Sequence, residues 1–172
     1  MTAIYQKLLV PVDGSPTATR GLDEAIRIAR LSGGRIRVIH VIDQLQLAAG
    51  LEFSTADVLG LLQEAGAAIV GAARARVEAG GVPVETQLSE TLSSTVADAV
   101  VDQAREWGAD LIVIGTHGRR GVRRLMIGSD AERIVRLASV PVLLVRDEPV
   151  ESARPEALPT RTALPVGTLA LE

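Results

Sequence analysis

Two periodicities take turns along this chain. Lys7 to Asp13 (KLLVPVD) is a short apolar run with β-branched residues, apolar on both faces, and it ends at the turn Gly14-Ser15-Pro16. Such runs read as buried parallel strands. Arg35 to Asp43 (RIRVIHVID) is a second strand, Ala109 to His117 (ADLIVIGTH) a fourth and the most apolar, and Val140 to Arg146 (VPVLLVR) a fifth. Val82 to Glu90 (VPVETQLSE) alternates apolar and polar positions, which suits a third strand near a sheet edge.

Helical spacing fills the gaps. After Pro16, residues Leu22, Ala25, Ile26 and Ala29 recur at helical intervals. Ser15 stands where an N-cap belongs, Pro16 at the first helical position, and Gly33-Gly34 at the stop. A long helix runs from Ala56 to Gly80-Gly81, and VADAVVDQAREWG follows possible caps at Ser93, Ser94 and Thr95. SDAERIVRLAS, from Ser129, is the last helix, and QLQLAAGLEFST, from Gln44, reads as a long loop. The order is βαβαβαβαβ, so the expected fold is α/β: one domain over residues 1–146, an open five-stranded parallel sheet with helices on both faces. Beyond Arg146 the periodicity stops and four of the eight prolines appear, which marks 147–172 as a Pro-rich tail.

Composition narrows the function. Aromatic residues are only 2% of the chain, so its core must come from Val, Leu, Ile and Ala. A net charge of −3 speaks against a general nucleic-acid binder. With no cysteine there are neither disulfides nor thiolate metal sites. Met1 to Ser15 shows no long apolar core or cleavage pattern, and no run is long enough to span a bilayer. The expectation is a cytoplasmic protein without membrane contact. Lys7 is the only lysine; every other basic side chain except the two histidines is an arginine, whose planar fork suits phosphate.

Open parallel sheets bind ligands beyond the carboxyl ends of their strands. Two loops there are unusual: PVDGS after strand one, and Gly115 to Ser129 (GTHGRRGVRRLMIGS) after strand four. In the second, glycines let a ligand approach the backbone, and Gly128-Ser129 opens a helix whose free N–H groups favour an anion. The alternative is a surface loop with a glycine turn and a serine N-cap. Asp13 likewise has two readings, a ligand contact or an Asx turn closing on its own backbone. Neither a Walker A motif nor GxGxxG is present. A receiver-type phosphoacceptor and the SGGxDS of a pyrophosphatase loop are missing too.

The spacing Gly115-x2-Gly118-x9-Gly128-Ser129 resembles the nucleotide-binding signature of the universal stress protein family, G-x2-G-x9-G-[ST]. LLVPVDGS, HVID, ADLIVIGTHG and VPVLLV are similar to that family as well, so the resemblance spans Gln6 to Arg146. The ATP-binding subgroup implies strand order 3-2-1-4-5, a homodimer through strand five, and ATP between the ends of strands one and four. Matched by position, Asp13 would meet ribose or adenine, Pro11 and Val12 would flank the base, and Val41 would meet adenine through its backbone. Gly115, Gly118, Gly128 and Ser129 would hold ribose and phosphates, with Mg²⁺ bridging phosphate oxygens and no metal ligand from the protein. Arg119 belongs to the same loop; it and Arg120, Arg123 and Arg124 face phosphate, a partner or solvent. Asp130 stands where many family members carry a small or apolar residue. It would repel a triphosphate, yet it suits the helix dipole and has Arg123 and Arg124 nearby in sequence.

The implied function is an ATP-binding regulatory stress-response protein with little or no hydrolysis, possessing no base with a visible orienter. The alternative is a nucleotide-free dimeric interaction module on the same fold, with an unidentified protein partner. His117 offers a donor to phosphate, while His40 and Trp107 read as packing residues. The bare apolar edge of VPVLLV calls for cover, either a second copy of the chain or the tail folding back.

Overall fold

Strand β1 (Lys7–Pro11) lies at the centre of a five-stranded sheet, and its neighbours were set by the apolar runs around it. The structure is a computed structural model and describes residues 4–44, 55–91, 94–116 and 128–146. In chain order, β1 is followed by α1 (Pro16–Ser32), β2 (Arg35–Asp43), α2 (Thr55–Ala79), β3 (Val84–Thr91), α3 (Val96–Trp107), β4 (Leu111–Gly115), α4 (Ser129–Leu137) and β5 (Val142–Val145). The sheet order is β3-β2-β1-β4-β5, parallel throughout, as the resemblance implied.

The strands are apolar on both faces because both are covered. Leu8, Val10, Val38 and Val113 pack under α1 and α2, against Leu22, Ala25, Ile26 and Val77. Leu9, Ile39, Ile112 and Ile114 pack under α3 and α4, against Val100, Ala104, Trp107 and Ile134. The edge strand β3 keeps alternating polar positions, and β2 alternates at its amino end, where Arg35 and Arg37 flank Ile36.

Local chemistry sets most of the boundaries. The Ser15 side chain accepts the Ala18 N–H at 3.1 Å, with Pro16 at the first helical position, and Gly33 closes α1 in the left-handed region. Thr95 caps α3 in a reciprocal box with Asp98. Of the other expected caps, Ser94 bonds Thr91 instead, and Ser93 lies outside the described residues. Strand one stops at Pro11 rather than Asp13, because the chain turns through Asp13 and Gly14 (φ 80°). Strand four runs over Leu111–Gly115 rather than Ala109–His117. Residues 45–54 and the tail 147–172 lie outside the described residues, as does any cover the tail gives to β5. Among the described residues no helix is long and apolar enough to cross a membrane.

Candidate functional site

Three segments converge at the carboxyl end of the sheet: the turn after β1, the end of β2, and the junction from β4 to α4. The sequence expectations for Pro11, Val12, Asp13, Val41, Gly115, Gly128, Ser129 and Asp130 all fall on them. His117, Gly118, Arg119, Arg120, Arg123 and Arg124 lie outside the described residues.

The β1 turn is closed by its own polar groups. Asp13 Oδ1 accepts the Ser15 N–H at 2.9 Å, which is the Asx-turn reading of Asp13. Ser15 O in turn accepts the Thr19 N–H and hydroxyl, both at 3.0 Å. Pro11 is half-buried at the end of the strand. The Val12 side chain is largely buried, in the core beneath α1 and α2. An apolar groove of about 450 Å³ begins there and runs between α1 and α2, past Gly14, Ala18, Leu22, Ile69 and Ala73. Arg76, the one cation among its described lining residues, is engaged by Asp23 at 2.5 and 2.8 Å.

The end of β2 points backbone at the crevice. Odd-numbered residues of β2 face β1: Arg35 N–H donates to Gln6 O at 2.9 Å, and Ile39 O accepts from Val12 N–H at 2.8 Å. Even-numbered residues face β3, as Ile36 N–H to Pro83 O and Gln44 N–H to Thr91 O show. By that alternation Val41 aims its N–H and C=O past the point where β1 has turned away.

At the β4–α4 junction the two ends of the glycine loop come together. Gly128 N–H donates to Thr116 O at 2.8 Å, and Thr116 N–H donates to Val145 O at 2.9 Å. Helix α4 therefore starts directly above the end of β4. Its N-cap is Gly128, not a serine, and no side chain caps it; Ser129 is the first helical residue and is exposed. The serine-cap reading of this loop is thereby corrected: Ser129 lies one position too far into the helix to bond back to its N–H groups. The uncapped first turn presents N–H groups and the positive end of the helix dipole. Asp130 and Glu132 add negative charge to that turn, and Glu132 is engaged by Arg136 at 2.6 Å.

Two glycines here differ in purpose. A Cβ on Gly115 would stand 2.7 Å from Thr17 O and 2.8 Å from Thr17 C, so this glycine lets α1 seat against β4. A Cβ on Gly128 would meet nothing closer than Thr116 O at 3.4 Å, and its φ of −58° and ψ of 149° suit any residue. Among the described residues, neither packing nor backbone demands a glycine at 128.

Arg133 and Asp98 were not singled out in the sequence, yet they place α4. Arg133 makes bonds of 3.0 and 3.2 Å to the Asp98 carboxylate, tying α4 to the capping box of α3. The Thr95 hydroxyl and N–H, then Arg133, hold Asp98 below the ordinary aspartate range. The Thr95-x-x-Asp98 spacing was readable as a cap; the partner from α4 was not. Among the described residues no group of three His, Asp or Glu side chains is arranged to hold a metal.

Residues 4–146 match the model of the universal stress protein family. The chain is 34% identical over 145 residues to universal stress protein MJ0531 of Methanocaldococcus jannaschii, covering 83% of each. It is similar to the universal stress protein of Archaeoglobus fulgidus solved in complex with dAMP: 27% identity, TM-score 0.60, 83% of this chain and 98% of that one. A universal stress protein solved in complex with cAMP is 25% identical, with a TM-score of 0.61 and coverage of 83% and 98%.

Proposed function

The chain belongs to the universal stress protein family, and on that premise we propose that it binds ATP at the carboxyl end of its sheet as a cytoplasmic regulatory protein of the stress response. The observation that carries the reading is Gly128, at the uncapped start of α4, a glycine that neither its backbone angles nor any contact among the described residues requires. The phosphates lie against Gly118, Gly128 and Ser129, where backbone N–H groups reach them without an intervening Cβ. Adenine lies near Asp13 and Val41, the latter reading it through N–H and C=O. Mg²⁺ arrives on the triphosphate oxygens. The relatives that bound dAMP and cAMP support the adenine end of the site, since both ligands carry that base. Hydrolysis is slow or absent: among the described residues of the site no base stands with its own orienter.

We further propose a homodimer through β5. That strand is an edge of the sheet, its four apolar residues are only half-buried, and Val135 and Leu137 of α4 are exposed beside it. Light scattering of the full chain at micromolar concentration should give twice the chain mass, and a monomer would reject the dimer.

Calorimetry of the full chain with Mg·ATP tests the site itself. Saturable binding below millimolar concentration is expected. Absence of heat at millimolar ATP would reject the reading and leave the interaction module in its place.

A further inference from the structure

In an unbroken parallel ladder, the acceptor for Val41 N–H would be Val12 C=O. Register fixes this: Pro11 faces Ile39, so Val12 faces His40, and Val12 N–H already donates to Ile39 O. The ladder breaks at that point. Among the described residues no backbone N–H donates to Val12 O; the oxygen lies instead 2.7 Å from the Nδ1 of His40. Because a carbonyl only accepts, Nδ1 must carry the proton.

We propose that His40 is the positioning residue of the nucleotide site. By taking Val12 C=O from the ladder it releases Val41 N–H toward the base and holds the Asp13 turn in place; the inference rests on the ATP-binding reading above. The β1 turn is then fastened to β2 twice, through Val12 N–H to Ile39 O and through Val12 O to His40. Without the ring, Val12 O becomes the nearest acceptor in register for Val41 N–H, and the ladder extends into the space where the base would sit.

The ring is itself held. His40 is half-buried on the face covered by α2, and Gly66 of that helix lies directly over it. A Cβ at Gly66 would come within 3.0 Å of His40 Cδ2, 3.5 Å of its Nε2 and 2.9 Å of Leu88 Cδ1. A helical glycine ordinarily costs stability. This one lets α2 close over the imidazole.

Two measurements on the full chain test the proposal. Nitrogen-15 correlation spectra of the nucleotide-free protein should show neutral His40 as the Nδ1–H tautomer; the Nε2–H tautomer would overturn the bond itself, whatever the protein binds. The second measurement compares ATP with inorganic tripolyphosphate by calorimetry. His40→Leu should lose about tenfold in ATP affinity while tripolyphosphate binding stays within about twofold. His40→Asn, whose side-chain NH₂ reaches the position of Nδ1, should restore most of the ATP affinity. Equal losses for both ligands, or no rescue by His40→Asn, would reduce His40 to a packing residue and overturn the proposal. Wild-type affinity in His40→Leu would overturn it too, while leaving ATP binding intact. A wild type that does not bind ATP sinks the nucleotide reading, and with it this one, even if the tautomer is as expected.

Discussion

The two ends of the sheet satisfy their polar groups by opposite rules. At the amino end side chains take up the backbone groups of β1 and its neighbours. Asp110 accepts the backbone N–H of Gln6 at 2.7 Å and of Lys7 at 3.0 Å. Lys7 Nζ donates to Trp107 O at 2.9 Å and lies 5.7 Å from the Trp107 ring centre. Arg37 stacks on the same ring at 4.6 Å while bonding Gln103 and pairing with Glu85. Ser32 Oγ donates to Tyr5 O at 2.8 Å, helping to hold Tyr5 at its positive φ of 59°. At the carboxyl end the fold instead aims donors outward: Val41 N–H past the end of β1, and the uncapped first turn of α4. Within one parallel sheet, then, polar side chains tie down one end, while backbone donors face outward at the other, the end where open parallel sheets take their ligands.

The largest test of that division is a residue at the binding end that belongs to the fold. Gly115→Ala should cost about 3 kcal/mol or more, because the new methyl meets the backbone of Thr17. A shift in the urea midpoint measures it; an unchanged midpoint would mean that α1 can move off β4. At the opposite end, Asp110→Ala strands two backbone N–H groups that are only part-buried. A loss of about 2 kcal/mol is expected, with ATP affinity unchanged, and a parallel loss of affinity would show the ends to be coupled.

Gly128→Val reverses that pattern. The apparent melting temperature without ligand should stay within about 3 °C, corresponding to about 1 kcal/mol or less, while ATP affinity falls at least about tenfold. Calorimetry paired with thermal melts decides it, and a variant that binds as well as wild type would make Gly128 a mere loop residue. The smallest effect concerns acid. The Arg37 guanidinium bonded to Glu85 holds that carboxyl below the ordinary glutamate range. A lowered folded value means stability that is complete above about pH 4.3 and lost as pH falls through the folded value. Glu85 is exposed enough that the contribution stays under about 1 kcal/mol. Glu85→Gln should therefore flatten the pH dependence of unfolding below about pH 4.3, and an unaltered acid limb would remove this pair from the account.

The fold was legible because its signals are local and repeated. Apolar runs, Ser15-Pro16, Gly33 and Thr95 each act within a few residues, and the strand and helix bounds fell close to them. What escaped depends on register or on contacts across elements. His40 reads as an ordinary strand residue until Val12 is found opposite it. Gly115 and Gly128 look equivalent in the glycine motif, and only the position of Thr17 separates them. Trp107 reads as packing, and it is, but the stacking of Arg37 on its ring requires β2 and α3 to be neighbours. Asp13 had two readings from the sequence, and the structure supplies the Asx turn without excluding a ligand.

The contact of Gly115 with Thr17 also bears on how the crevice can deform. Backbone meets backbone there, and Gly21 adds a second close approach, its Cβ position lying 3.3 Å from Gly115 N. The start of α1 and the end of β4 are thus joined as one stiff wall, with no side chain between them to rotate out of the way. The facing wall, α4, sends only Ala131 and Ile134 into the core and is steadied by an exposed Arg133–Asp98 pair. The two walls thus differ in anchorage: one is backbone locked on backbone, the other a short helix tied to the sheet through Gly128 and Thr116 and to α3 through Asp98.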